Sequence, residues 1–72
     1  MNKERKLHFY KYVVKRHLND IKASIESSSN TMERNYYYTR YAAQLSIYAE
    51  TLNVQEKYLE RAISSKDNNP SK

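Results

Sequence analysis

The fold turns on residues 48–63, YAETLNVQEKYLERAI. Tyr48, Leu52, Gln55, Leu59 and Ala62 continue a series that begins at Tyr38, Tyr41 and Leu45. Its steps alternate between three and four, the heptad pattern of a left-handed supercoil. Read straight through, the segment belongs to one helix from about residue 31 to residue 64, roughly 50 Å long at 1.5 Å per residue. The same stretch contains Asn53, a residue type that tolerates the left-handed conformation. A break there gives two shorter helices joined by a turn.

Upstream, Leu7, Tyr10, Val14, Leu18, Ile21 and Ile25 recur at helical spacing, and Phe9 and Val13 widen that stripe. A first amphipathic helix is expected over about residues 3–27. Ser27, Ser28, Ser29 and Asn30 end it, because these side chains bond their own backbone in competition with the helix. Asn30 and Glu33 resemble a capping box at the start of the second helix. The connection is short, so the helices should return antiparallel, as a hairpin.

Composition supports an all-α chain. Among 72 residues there is no glycine, and the single proline, Pro70, lies near the end. Tight hairpins and Gly-rich phosphate loops are therefore excluded. With no cysteine there is no disulfide or thiolate metal site. A single domain over residues 1–64 is expected, followed by a disordered polar tail over 65–72, which has no apolar residue. A chain this small buries only about 60% of its unfolded surface, which favours association with another chain.

No stretch approaches the roughly 20 apolar residues needed to span a bilayer. The first residues, MNKERKLHFYKYVV, have no apolar run or cleavage site of a secretory signal. A cytoplasmic location is expected. The formal charge is +5 and the pI about 9.5, which favours acidic partners. Lys3, Arg5, Lys6, Lys11, Lys15, Arg16 and Lys22 put most of that charge on the first helix, whereas Lys57 and Arg61 are balanced by Glu56 and Glu60.

A second apolar stripe, Ile47, Val54 and Tyr58, lies almost opposite the heptad seam if the second helix is continuous. The first helix cannot cover both sides. The expected seam is Leu7, Tyr10, Val14, Leu18, Ile21 and Ile25 against Tyr38, Tyr41, Leu45, Tyr48, Leu52, Leu59 and Ala62, with Ala42, Ala49 and Ile63 flanking it. Tyr37, Ile47, Val54 and Tyr58 are then the candidate interface of a homodimer, a four-helix bundle made from two hairpins.

No catalytic, cofactor or metal site is expected. His8 and His17 fall on opposite sides of one helix and cannot share a metal, and the His17–Asp20 pair has no accompanying nucleophile. The leading expectation is therefore a non-catalytic regulatory or adaptor protein. It would act through self-association and an unidentified, acidic protein partner. Tyr36, Tyr37, Tyr38 and Tyr41 fit an interface better than a base-stacking surface.

Broken at Asn53, the segment resembles a helix-turn-helix, in particular the first such unit of AraC-type regulators. Ala49 is the small residue that lets two helices cross closely, while Leu52, Val54, Leu59 and Ala62 are the apolar anchors. Asn53 stands where glycine is usual. The resemblance covers 16 residues and lacks the rest of an AraC-type domain. It implies a DNA-binding regulator in which Gln55, Glu56, Lys57, Glu60, Arg61 and Ser64 face the nucleic acid, with Gln55, Lys57 and Arg61 the suitable readers. The whole chain also looks like the small YvfG-type proteins of Bacillus in its size, early aromatic helix, Asn35–Tyr37 run and polar tail. That likeness implies a dimerising helical hairpin without an established activity. The last residues resemble the close of a tetratricopeptide repeat, but a single repeat would not fold alone.

Overall fold

The structure, a computed structural model, describes residues 2–64 and is all-helical across them. The tail expected over 65–72 lies outside the described residues. The elements are α1 (Lys3–Phe9), a π-helical segment (Tyr10–Val14), α2 (Lys15–Glu26), α3 (Thr31–Leu52) and α4 (Glu56–Ser64). The junctions between α1, the π segment and α2 keep right-handed helical dihedrals, so these three form one unbroken N-terminal rod. Among the described residues no helix is long and apolar enough to cross a membrane.

Each helix end has a local cause. The Asn2 side chain accepts from the Arg5 amide at 2.8 Å and starts the rod. At its far end, the Ser28 hydroxyl donates to the Ser24 carbonyl at 2.8 Å, and the Ser27 amide donates to Ala23 at 3.0 Å. These bonds satisfy carbonyls that an ending helix leaves open. Asn30 then accepts from the Glu33 amide at 2.8 Å, and Glu33 accepts in return from the Ser29 amide at 3.1 Å. This is the expected capping box with its return bond moved one residue upstream.

The second helix does not run to residue 64. It stops at Leu52, and Asn53 takes the left-handed conformation with φ 59° and ψ 48°. The Asn53 amide donates to Glu50 at 3.1 Å and the Val54 amide to Ala49 at 2.9 Å. Together they form the paired closure of a Schellman motif. The heptad spacing survives the break because α4 keeps its own apolar face. The N-terminal rod and α3 keep the expected antiparallel pairing, and the break at Asn53, the alternative to one continuous second helix, adds α4 as a third rod.

α2 packs along α3, and α4 folds back onto both. Phe9 and His17 meet Tyr48, whereas Ile25 lies near Tyr38 and Tyr41, so the first two rods run in opposite directions. The core comprises Val14, Leu18 and Ile21 from the N-terminal rod, Tyr41, Leu45, Ala49 and Leu52 from α3, and Leu59 and Ile63 from α4. Phe9, Tyr10, Ile25, Tyr37 and Tyr48 pack against it, half-buried, and Ala62 is also half-buried. Ala49 and Ile63, expected only to flank the seam, are nearly inaccessible.

Two expected seam residues are exposed: Leu7 at 55% and Tyr38 at 54%. For Leu7 the cause is the π segment, in which the Lys15 amide bonds the Tyr10 carbonyl five residues back. One extra residue per turn shifts everything upstream by about 100° around the axis. Phe9 consequently packs on the core, Leu7 moves off it, and Lys6 becomes half-buried. Tyr38 lies near the open end of the α2–α3 pair, beside Ile25 and Glu26, where there is little to cover it.

Candidate nucleic-acid interface and neighbouring surfaces

The break at Asn53 creates a unit in which α3 and α4 are joined by three residues, Asn53, Val54 and Gln55. Ala49 is 2% exposed, and Leu52, Leu59 and Ile63 are buried beside it. A larger residue at 49 would hold the two helices apart. Asn53 is four residues after Ala49 and does not cap α4. It ends α3 instead, and the Leu59 amide donates to the Gln55 carbonyl at 3.1 Å as α4 begins.

The outer face of α4 follows from burial. With Leu59 and Ile63 inward, Lys57 and Arg61 project from the opposite side, both exposed, as are Gln55 and Glu56. Ser64, expected on that DNA-facing side, is exposed but turns toward α2 instead. Glu60 is turned aside. It lines a hollow of about 240 Å³ with Lys22, Glu26, Tyr38, Tyr41 and Ser64. Burial, and then the nearby Glu60 carboxylate, push the Tyr41 phenol above its ordinary value. The Lys22 ammonium donates to the Ser64 hydroxyl at 3.1 Å, which ties the end of α4 to α2.

The fold therefore alters the charge distribution read along the chain. Lys22 flanks α4 on one side, and Lys3 and Lys6 flank it on the other, across a groove of about 520 Å³. One wall of that groove carries Lys3, Lys6, Leu7 and Tyr10 from the N-terminal rod. The facing wall carries Leu52, Val54, Tyr58, Leu59 and Ala62. Cations distant in sequence from α4 are thus its neighbours in space.

The four candidate interface residues do not form one stripe. Ile47 is exposed on the outer side of α3, whereas Val54 and Tyr58 belong to the groove between the first rod and α4. Tyr37 is half-buried, in edge contact with Tyr36 at 5.2 Å. The row that accompanies Ile47 on the outer face of α3 is Tyr36, Arg40, Ala43 and Glu50, all exposed. The Arg40 guanidinium lies 5.9 Å from the Tyr36 ring centre.

His17 is engaged structurally. Its Nδ1 is 2.7 Å from the Tyr48 hydroxyl, and Tyr48 is edge-on to both the His17 and Phe9 rings at 5.8 Å. Among the described residues no group of three or more His, Cys, Asp or Glu side chains could hold a metal ion. No family model, no curated protein and no solved structure matches this chain.

Proposed function

We propose that this chain is a small, non-catalytic DNA-binding regulator that presents α4 to the major groove. The observation that carries this reading is the left-handed Asn53, which closes α3 and frees α4 as a separate helix three residues later. A three-residue turn, a small residue at the crossing and an exposed second helix are what a helix-turn-helix requires. Lys57 and Arg61 supply the outer face, with Gln55 at its start. Lys3 and Lys6 on one side of α4 and Lys22 on the other would supply the contacts to flanking phosphates.

The test is fluorescence anisotropy of a mixed-sequence 20-base-pair duplex at rising salt. On such a duplex, which offers no chosen site, Lys3, Lys6, Lys22, Lys57 and Arg61 would all meet phosphate. Five contacts predict a slope near −4.5, hence an affinity loss of about 500-fold between 50 and 200 mM salt. Arg61→Ala should weaken binding and reduce the slope by about one. Absent or salt-insensitive binding would overturn the reading.

A second reading, self-association, is favoured by the α3 row. Set antiparallel to a copy of itself and centred on residue 45, the row places Arg40 opposite Glu50 and Ala43 opposite Ile47. The small residue faces the large one and opposite charges face each other, twice by symmetry. Such a dimer leaves both α4 helices free, so it is compatible with DNA binding. Sedimentation should find a dimer in the native chain, a monomer with Arg40→Glu, and a dimer again with Arg40→Glu/Glu50→Arg. A monomer at every concentration would remove self-association from the proposal. An adaptor that meets an acidic protein through the same basic rod would show no salt-dependent DNA binding at all.

A further inference from the structure

The groove between the N-terminal rod and α4 shares only Lys3 and Lys6 with the proposed DNA-binding surface, and the rest of its lining is apolar or aromatic. Leu7, Val54 and Tyr58 stay 55%, 38% and 64% exposed, yet they line a concave surface instead of scattering over a convex one. Exposed apolar groups gathered in a concavity are a recurrent sign of a ligand site. At about 520 Å³ the space falls within the usual range for small-molecule pockets.

Charge is confined to one end. Lys3 and Lys6 occupy the start of the wall, Leu7 and Tyr10 continue it, and no acidic side chain is in the lining among the described residues. The π segment produces this arrangement. Lys3, Lys6 and Leu7 belong to one regular helix, so the π segment's rotation of about 100° carries all three to the groove side together. π-helical turns inside α-helices are frequent at functional sites.

From this we infer that the groove binds an anionic amphiphile, a single alkyl chain ending in a carboxylate. The chain lies against Leu7, Val54, Tyr58 and Ala62, and the carboxylate sits between Lys3 and Lys6. An amphipathic helix from a partner protein would need cations along both rims to match its charged flanks, and here they stand at one end of one wall. Because Val54 belongs to the turn and Tyr58 to α4, an occupant bridges the first rod to the helix proposed to meet DNA. The binding site itself stands independently of that proposal.

The experiment is a titration of the full ¹⁵N-labelled chain with decanoate, and separately with decyltrimethylammonium, both below their micelle concentrations. Decanoate should give saturable amide shifts at Leu7, Val54, Tyr58 and Ala62, at a concentration about tenfold lower than the cationic amphiphile. Lys3→Glu/Lys6→Glu should weaken decanoate on the order of tenfold while the thermal melt stays unchanged. Val54→Asp, which puts a carboxylate on the apolar wall, should abolish binding without unfolding a residue that lies outside the core. Equal binding of the two amphiphiles would overturn the inference, as would shifts centred on the outer face of α3. So would occupation of these residues by an acidic helical peptide but not by decanoate. DNA binding measured without amphiphile is read separately, so failure of either proposal leaves the other intact.

Discussion

The Val54 amide donates to the Ala49 carbonyl at 2.9 Å, across the left-handed Asn53. That bond separates a three-rod protein from a two-helix hairpin, because it closes α3 where the apolar spacing alone would let it continue. The residue it spans is chemically specific. A side chain other than glycine costs about 1–2 kcal/mol in the left-handed region, and asparagine offsets part of this by local hydrogen bonding.

Asn53→Ala should therefore lower stability by about 1 kcal/mol, whereas Asn53→Gly should be neutral or slightly stabilising. Urea unfolding followed by circular dichroism measures both. Equal midpoints for the two variants would contradict a left-handed residue at 53.

Burial also separates residues that look alike in the sequence. Leu18 and Leu45 are core residues, and replacing either by alanine should cost about 2–5 kcal/mol. Leu7 and Tyr38 share their helical spacing but are exposed, so alanine there should change stability by about 0.5 kcal/mol or less. A large loss from Leu7→Ala would mean that the N-terminal turn is not rotated by the π segment.

The His17–Tyr48 contact joins the first rod to α3 through a hydrogen bond and an edge-on ring pair. Tyr48→Phe keeps the ring and deletes the hydroxyl, and should cost about 0.5–1.5 kcal/mol. Combined with His17→Leu, the double-mutant cycle should give a coupling energy of the same order. Strict additivity would show that the 2.7 Å contact contributes nothing to stability.

Tyr41 makes the protein sensitive to alkali. Burial, then Glu60, raise its folded-state pKa above the ordinary 10.0, so the folded chain holds a proton that the unfolded chain releases. The contribution is fully present below pH 10 and is lost as pH rises through the folded value. Stability should fall above pH 10, and less steeply in Tyr41→Phe, which has no phenol to ionise. Identical alkaline profiles for the two proteins would refute the assignment.

Much of the fold was legible in the chain, and for local reasons. Ser27–Asn30 ends one helix and starts the next through side-chain bonds that span at most four residues. Val14, Leu18, Leu45 and Leu52 declare the core because each repeats at helical spacing. Other features were ambiguous in principle. Heptad spacing cannot distinguish one continuous helix from two, since a three-residue turn preserves the register of Leu52 and Leu59. The π segment leaves no signature in YKYVV, so Leu7 and Phe9 could not be assigned to their faces. The candidate site was legible in part. Gln55, Lys57 and Arg61 follow from the motif, whereas Lys3, Lys6 and Lys22 come beside α4 only after folding.

By itself, the sequence determined what short-range chemistry decides: helices throughout, a serine-rich turn, the cap at Asn30, and no thiol or glycine loop. Only the tertiary structure decided whether α4 is separate, which way the first turn of the rod faces, and which cations surround α4. The reason is energetic. The left-handed conformation at Asn53 and the extra residue in the π turn each carry a local cost. Each is offset only when Ala49, Leu52, Leu59 and Ile63, or Phe9 and Tyr48, are buried by segments distant in the chain.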